Sequence, residues 1–380
     1  MRAVASALAL LACVAAACAT IGSEGDGARD LPSSGVGPFR KLSTTEVLGV
    51  PPFVLEDRVA QYREPAALPV FPEDSSSASV YVYAVARVAD ADAGSAHDVI
   101  VRTRADDARS FYGTSSDSGH QPTVVLEADA AWEAARIGGP SAVRVGDQVF
   151  LYYSAGGGIG VARSFDGLTF RKEVAPVLTQ VNDVPWETTQ PSAPSVVVYP
   201  DGRLRMMYAS GGFLGEAESN DGLTWRRIDA DPSTPGIDAV LAPSAPVAPE
   251  TLLPGEHPPF DTAEVADPSV ALRITPAGRL HVRVLYTGYA DAASTRGRNG
   301  TIGFAARYGT SGPLSRQPSP VYSVAKHEAA PTLFEWAGGS MLYVHEDKSI
   351  DSTTNVPSIA GAFAPPTMTL GTPVGYASAP

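Results

Sequence analysis

The chain has 380 residues, 44% of them hydrophobic and 18% charged, the balance of an ordinary folded protein large enough to bury a sizeable core. Its formal net charge of −13 excludes a nucleic-acid partner of the usual kind, because a phosphate backbone needs a basic face and none is visible. Glycine (36) and proline (33) are scattered between short apolar runs rather than gathered in one tract, which favours many short strands joined by turns.

In chain order, the first element is a targeting segment. Met1 and Arg2 precede an apolar and small-residue run from Ala3 to Ala17, the pattern of a secretory signal over 1–17. Ala15-Ala16-Ala17 ahead of Cys18 resembles the lipobox of bacterial lipoproteins, and the resemblance implies a lipidated Cys18 at the start of the mature chain. Leu10-Leu11-Ala12-Cys13 is a competing site, and a plain signal peptide with incidental cysteines is the alternative. No cysteine follows Cys18, so disulfides cannot staple the fold. From Ala19 to about Ser43, Gly, Ser, Asp and Pro dominate without apolar periodicity. Residues 18–45 are therefore expected to be a lipidated N-terminus and flexible tether.

Beyond the tether, short runs bounded by Gly, Pro, Asp or Asn read as strands: Val80–Val85, Val149–Ser154, Leu204–Ala209, Leu280–Tyr286 and Met341–Val344. They belong to an internal repeat. Gly139-Pro140-Ser141-Ala142-Val143 is followed by Gly146-Asp147, by Phe150-Leu151-Tyr152-Tyr153 and by Ser164-Phe165-Asp166-Gly167-Leu168-Thr169-Phe170. The same order returns from Ala193-Pro194-Ser195-Val196 to Ser219-Asn220-Asp221-Gly222-Leu223-Thr224-Trp225. Further copies open at Asp267-Pro268-Ser269-Val270 and Ala330-Pro331-Thr332-Leu333, and a weaker one at Glu64-Pro65-Ala66. The five prolines lie 75, 54, 74 and 63 residues apart. Each unit holds three or four strands and can bury its faces only against units like itself. The expected fold is an all-β, five-bladed β-propeller over 46–380; a β-sandwich is the alternative. Phe170 and Trp225 are expected to pack between blades, and Tyr153, Tyr208 and Tyr286 to occupy matching places.

In a propeller the innermost strands converge on one mouth of the axial channel, so the residues before the prolines, Glu64, Gly139, Ala193, Asp267 and Ala330, are expected there. Two carboxylates among five converging positions fit acid–base work on a glycosidic bond, with one group protonated and the other ionised. The Asp-Pro-Ser-Val start, the Tyr-rich second strand and the Ser-x-Asp-Gly-Leu-Thr-Trp ending resemble five-bladed glycoside hydrolases and relatives, families 43, 32, 68 and 130. The resemblance implies a catalytic role for Asp267 and, more loosely, Glu64. Family 43 enzymes carry three inner-strand carboxylates, whereas Gly139, Ala193 and Ala330 stand here where acids would be expected. Glu187, Glu264 and Glu328, just upstream of three of the prolines, are candidates to reach the site from loops. Trp132 and Trp186 are candidate sugar-stacking platforms. The Asp-box of sialidases differs in glycine position, which ranks that reading third.

No Gly-x-Ser-x-Gly elbow or His-Glu-x-x-His motif occurs, and six scattered histidines offer no ligand spacing, so neither metal nor cofactor is expected. The expected protein is thus a carbohydrate-directed, monomeric lipoprotein of the bacterial cell envelope, held at the outer membrane or cell surface by its N-terminal lipid, with a glycan as partner. It is either a glycosidase or a non-catalytic glycan-binding or scaffold propeller that has lost acids.

Overall fold

The structure, a computed structural model, describes residues 39–42, 53–55, 58–70, 78–89, 95–109, 122–253, 257–292, 299–323, 327–349, 355–364 and 372–374. The expected signal peptide, Cys13, Cys18 and most of the tether lie outside the described residues.

Among the described residues the strands form five antiparallel sheets, and apart from one strand from each end of the chain they follow chain order from the axis outward. Blade 1 comprises β3 (Arg58–Val70), β4 (Ser79–Ala89), β5 (Ala96–Ala105) and β6 (Thr123–Glu127), with the short β2 (Phe53–Leu55) hairpinned onto β3. Blade 2 is β7 (Ile137–Val145), β8 (Gln148–Ala155), β9 (Gly158–Ser164) and β10 (Arg171–Lys172). Blade 3 is β11 (Ser192–Val198), β12 (Leu204–Ser210), β13 (Phe213–Ser219) and β14 (Arg226–Ile228). Blade 4 is β15 (Glu264–Ile274), β16 (Leu280–Tyr289), β17 (Gly300–Tyr308) and β18 (Ser315–Arg316), with β22 (Thr372–Val374) added on the axial edge of β15.

Blade 5 is β19 (Glu328–Trp336), β20 (Gly339–Ser349) and β21 (Asn355–Ala364), and its outermost strand is β1 (Arg40–Lys41) from the other end of the chain. The expected tether therefore ends earlier than composition suggested. Arg40 and Lys41 close the ring, and Lys41 pairs at 2.6 Å with the buried carboxylate of Glu346.

Five apolar clusters fill the five seams. One joins blades 1 and 5 (Tyr62, Val82, Phe334, Tyr343) and another blades 1 and 2 (Tyr83, Ile100, Leu151, Tyr153). The rest join blades 2 and 3 (Tyr152, Val161, Met206, Tyr208), 3 and 4 (Met207, Leu241, Val284), and 4 and 5 (Leu285, Phe304, Leu342). A seam for every adjacent pair, including 5 and 1, is what a closed ring requires and a sandwich does not.

Polar locks reinforce the seams, and they divide into two kinds. Tyr83 of blade 1 donates its hydroxyl to Gly167 O of blade 2 (2.9 Å), and Tyr152 of blade 2 does the same to Gly222 O of blade 3 (2.9 Å). Those carbonyls belong to the Ser-x-Asp-Gly turns, where Asp166 and Asp221 each accept two backbone N–H groups at 2.8 Å. Phe170 and Trp225 meet the same tyrosines edge-on across these seams, as expected. Tyr343 of blade 5 completes the set by donating to Ala108 O of blade 1. The other two seams use buried ion pairs: Glu216 with Arg307 between blades 3 and 4, and Glu335 with Arg273 and Arg283 between blades 4 and 5.

Candidate functional site

Each inner strand breaks its register at the x-Pro pair. The shifts fall between Arg63 and Ala66, Gly138 and Ser141, Ser192 and Ser195, Ala266 and Ser269, and Ala329 and Thr332. At every one the residue before proline is left-handed, with φ between +46° and +52° at Glu64, Gly139, Ala193, Asp267 and Ala330. This conformation is uncommon for a residue with a Cβ, and its fivefold repetition marks a designed bulge rather than an accident. The bulges bring Glu64, Gly139, Ala193, Asp267 and Ala330, each with its proline, around one axial pocket. The pocket is open at the mouth, and its volume of about 30 Å3 admits a water molecule or two.

The residue after each proline ties the ring beneath this mouth. Ser141 Oγ accepts from Val196 N, Ser195 from Val270 N, Ser269 from Leu333 N and Thr332 from Ala67 N, at 3.0, 2.9, 2.9 and 3.4 Å. Ala66 holds the corresponding place in blade 1 and has no hydroxyl, so the seam between blades 1 and 2 lacks this tie.

The two pocket carboxylates have unlike surroundings. Glu64 accepts from Arg63 Nε at 2.9 Å and from the backbone N–H of Gly139 at 2.6 Å. Arg63 is itself held by Asp98 at 2.7 Å. Asp267 is met by the hydroxyl of buried Thr287, which itself accepts the Ala330 N–H at 2.9 Å, and by the charges of Glu64 and Glu264. Burial first, and the Glu64 charge second, push its carboxyl up to about 6 from an ordinary 3.8. One carboxylate thus rests on a guanidinium, and the other is poised to hold a proton near neutrality.

Of the remaining candidates, Glu264 is half-buried at the start of β15 and close enough to act on Asp267. Glu328 is buried at the start of β19, opposite Glu346 in register. Trp132, Trp186 and Glu187 belong to a different, repeated arrangement within the blades. Trp132 stacks on Tyr153 and Trp186 lies over Tyr208, with ring centres 6.0 and 5.9 Å apart. Phe260 does the same on Tyr286. Each ring covers a glycine of the third strand, Gly160, Gly215 or Gly303, where a Cβ would collide with it. The following acid accepts the tyrosine hydroxyl: Tyr153 to Glu133 (2.8 Å), Tyr208 to Glu187 (2.5 Å), Tyr286 to Asp261 (2.8 Å). Lys172, Arg227 and Arg316 on the outermost strands neutralise those acids. Burial keeps the three phenols far above their ordinary value, so they serve as donors. Tyr153, Tyr208 and Tyr286 therefore do match. The aromatic–acid dipeptide, Trp132-Glu133, Trp186-Glu187 and Phe260-Asp261, was a legible signal of a structural unit.

Sequence reasoning missed Arg63, Asp98, Thr287 and Ser154, the last of which accepts Ala193 N at 2.7 Å. Arg63 adjoins Glu64 in sequence. Ser154 and Thr287 share one register position, two residues past the x-Pro partner strand, which an alignment of second strands would have exposed.

A closed five-bladed ring with carboxylates at one axial mouth defines the architectural class. No protein-family model matches the chain, and no curated protein does. Among solved structures, a glycoside hydrolase is similar at 14% identity over 86% of this chain and 93% of its own, with a TM-score of 0.57. A structure from the family 130 mannoside phosphorylases, which contain glycoside hydrolases targeting β-1,2 mannosidic linkages in Candida mannan, is similar at 14% identity (91% and 99% covered, TM-score 0.54). An endo-arabinase from Bacteroides thetaiotaomicron is similar at 14% identity (87% and 100% covered, TM-score 0.51). The chain has the fold of glycoside hydrolase propellers, and at this identity the likeness speaks to fold alone.

Proposed function

We propose that this protein is a carbohydrate-directed propeller of the bacterial envelope that acts on an extracellular oligo- or polysaccharide at its axial mouth, with Asp267 and Glu64 as the acid–base pair. The observation that carries this reading is the pairing of two carboxylates from blades 1 and 4 in one pocket, one on a guanidinium and the other pushed up to about 6. A carboxyl raised in this way suits the delivery of a proton, and a second carboxylate in the same pocket suits the complementary role. The volume of the pocket fits the reacting groups and a water, so the sugar rings would lie above it, beside the connections 173–191 and 229–253 that follow the outermost strands of blades 2 and 3.

Lipid anchoring at Cys18 is part of the proposal, and chain direction supports its geometry. β1 runs antiparallel to β21, so the chain enters blade 5 from the side opposite the mouth. A tether attached there leaves the mouth pointing away from the membrane.

A second reading, a non-catalytic glycan-binding propeller, is favoured by one observation: Glu64 already serves as a structural tie to the next blade, accepting the Gly139 N–H, as the Thr287 hydroxyl does for Ala330 and the Ser154 hydroxyl for Ala193. A panel of oligo- and polysaccharides incubated with the wild type and with Asp267→Asn separates the readings. Cleavage that disappears in the variant while binding persists supports catalysis, since an amide can neither deliver nor accept the proton. Binding without cleavage by either protein selects the second reading. Absence of both ends the carbohydrate assignment, and cleavage surviving in the variant ends that of Asp267.

A further inference from the structure

Glu64 lies in a slot built from its neighbours. Its Oε2 receives the Gly139 N–H at 2.6 Å, a short bond of the charge-assisted kind, while Arg63 holds Oε1 at 2.9 Å. Arg63 is fixed in turn by Asp98 at 2.7 Å, and Asp98 also pairs with Arg87 at 3.2 Å. The floor of the slot is Gly138, where a Cβ would stand 2.9 Å from Oε2. Gly138 does not need glycine for its backbone, because only Gly139 of this pair is left-handed. What its bareness provides is room for a carboxylate. The slot also spans the seam between blades 1 and 2, the one where Ala66 leaves the hydroxyl tie unmade.

We propose that Gly138 and Arg63 are positioning residues that park the Glu64 carboxylate against blade 2, and that the parked carboxylate replaces the missing hydroxyl tie at that seam. The inference rests on the functional reading only in treating Glu64 as a site residue. In this pose the Glu64 carboxylate is held against Gly139 of blade 2, and its charge stays fixed relative to Asp267. Among the described residues no guanidinium or ammonium pairs with Asp267, which faces the Thr287 hydroxyl and the charges of Glu64 and Glu264. Arg63 thereby distinguishes two otherwise equivalent x-Pro carboxylates.

The test is spectroscopic and needs no glycan. In protein labelled with 15N-glycine, the Gly139 amide proton should resonate far downfield, as an amide on a charged acceptor does, and Glu64→Ala should abolish that position and so identify the signal. Gly138→Ala adds a methyl group that displaces only the far end of a flexible side chain, and Arg63→Met removes the clamp. Both should move the Gly139 signal upfield, whereas Arg63→Lys, which keeps the charge, should retain most of the downfield position. A second measurement reads the tie: Glu64→Ala should lower the urea midpoint, and Ala66→Ser in that background should recover part of it. A Gly139 signal that stays in place in both Gly138→Ala and Arg63→Met overturns the slot, and a midpoint unmoved by Glu64→Ala overturns the tie. Neither outcome depends on whether any sugar is bound or cleaved, so failure here is distinct from failure of the carbohydrate assignment.

Discussion

Replacing Asp267 by asparagine should make the folded protein more stable at neutral pH, even if it removes the activity. The carboxyl is raised from 3.8 to about 6 by burial and by the neighbouring Glu64 charge, so the folded state resists ionising it while the unfolded chain does not. A rise of about two pKa units corresponds to roughly 3 kcal/mol, at about 1.4 kcal/mol per unit. The sign follows from proton linkage. Below pH 4 the group is protonated in both states and costs nothing. Between 4 and 6 the unfolded chain loses its proton first, and above 6 the full penalty is present. Asparagine carries no charge at any pH, can still accept from the Thr287 hydroxyl through Oδ1, and tolerates the left-handed backbone (φ +47°) better than most residues. Urea unfolding at pH 3, 5.5 and 7.5 should therefore show Asp267→Asn equal to the wild type at the lowest pH and more stable by up to about 3 kcal/mol at the highest. A variant less stable at pH 7.5, or a gain that does not vary with pH, would refute the reasoning and leave Asp267 as a capping group of the bulge.

Other outcomes follow from the same geometry. Glu64→Gln removes the second cause of the Asp267 shift and leaves the first, so 13C detection of the Asp267 carboxyl should show its midpoint falling only part of the way toward 3.8. Glu335→Gln strips the carboxylate that faces buried Arg273 and Arg283, and the urea midpoint should drop by the equivalent of about 3–5 kcal/mol. If Cys18 carries the lipid, Cys18→Ala should move the protein from the membrane fraction to the soluble one; retention on membranes would point to Cys13 or another anchor.

The blade count and the pocket-lining positions were legible because one physical requirement repeats in sequence. Each inner strand needs a left-handed residue followed by proline at the mouth, and that dipeptide recurs five times with strands at constant offsets. The Ser-x-Asp-Gly turns were legible for the same reason, since Ser164 and Ser219 bond the same turn atoms in the same way. What escaped was geometry carried by unlike residues. Asp107 and Ala108 build the turn of blade 1 without a Gly, Ala108 taking φ +57°, and so present Tyr343 with the carbonyl that Gly167 presents to Tyr83. Two seams replace the tyrosine lock with Arg–Glu pairs, a substitution no motif search would align. β1 was hidden because two residues are too few to show a period, and their role depends on an edge of β21 more than 300 residues away.

The places where the ring departs from its own symmetry coincide with the proposed site. Four seams carry a hydroxyl tie below the mouth and one does not; three x-Pro positions are apolar and two are acidic. A purely structural ring would have reason to keep the cheapest occupant, glycine, at a backbone angle near +50°, as blade 2 does with Gly139. A buried carboxylate at that angle adds desolvation to backbone strain, and at Asp267 the cost is visible in the raised carboxyl. At Glu64 the cost is offset by Arg63 and by an amide that the seam leaves available. Two acids stand in equivalent backbone settings, one held by a guanidinium and one raised by burial and a neighbouring charge, and they differ through their neighbours alone. That difference is what an acid–base pair needs, and it arises here without any change in the scaffold that holds them.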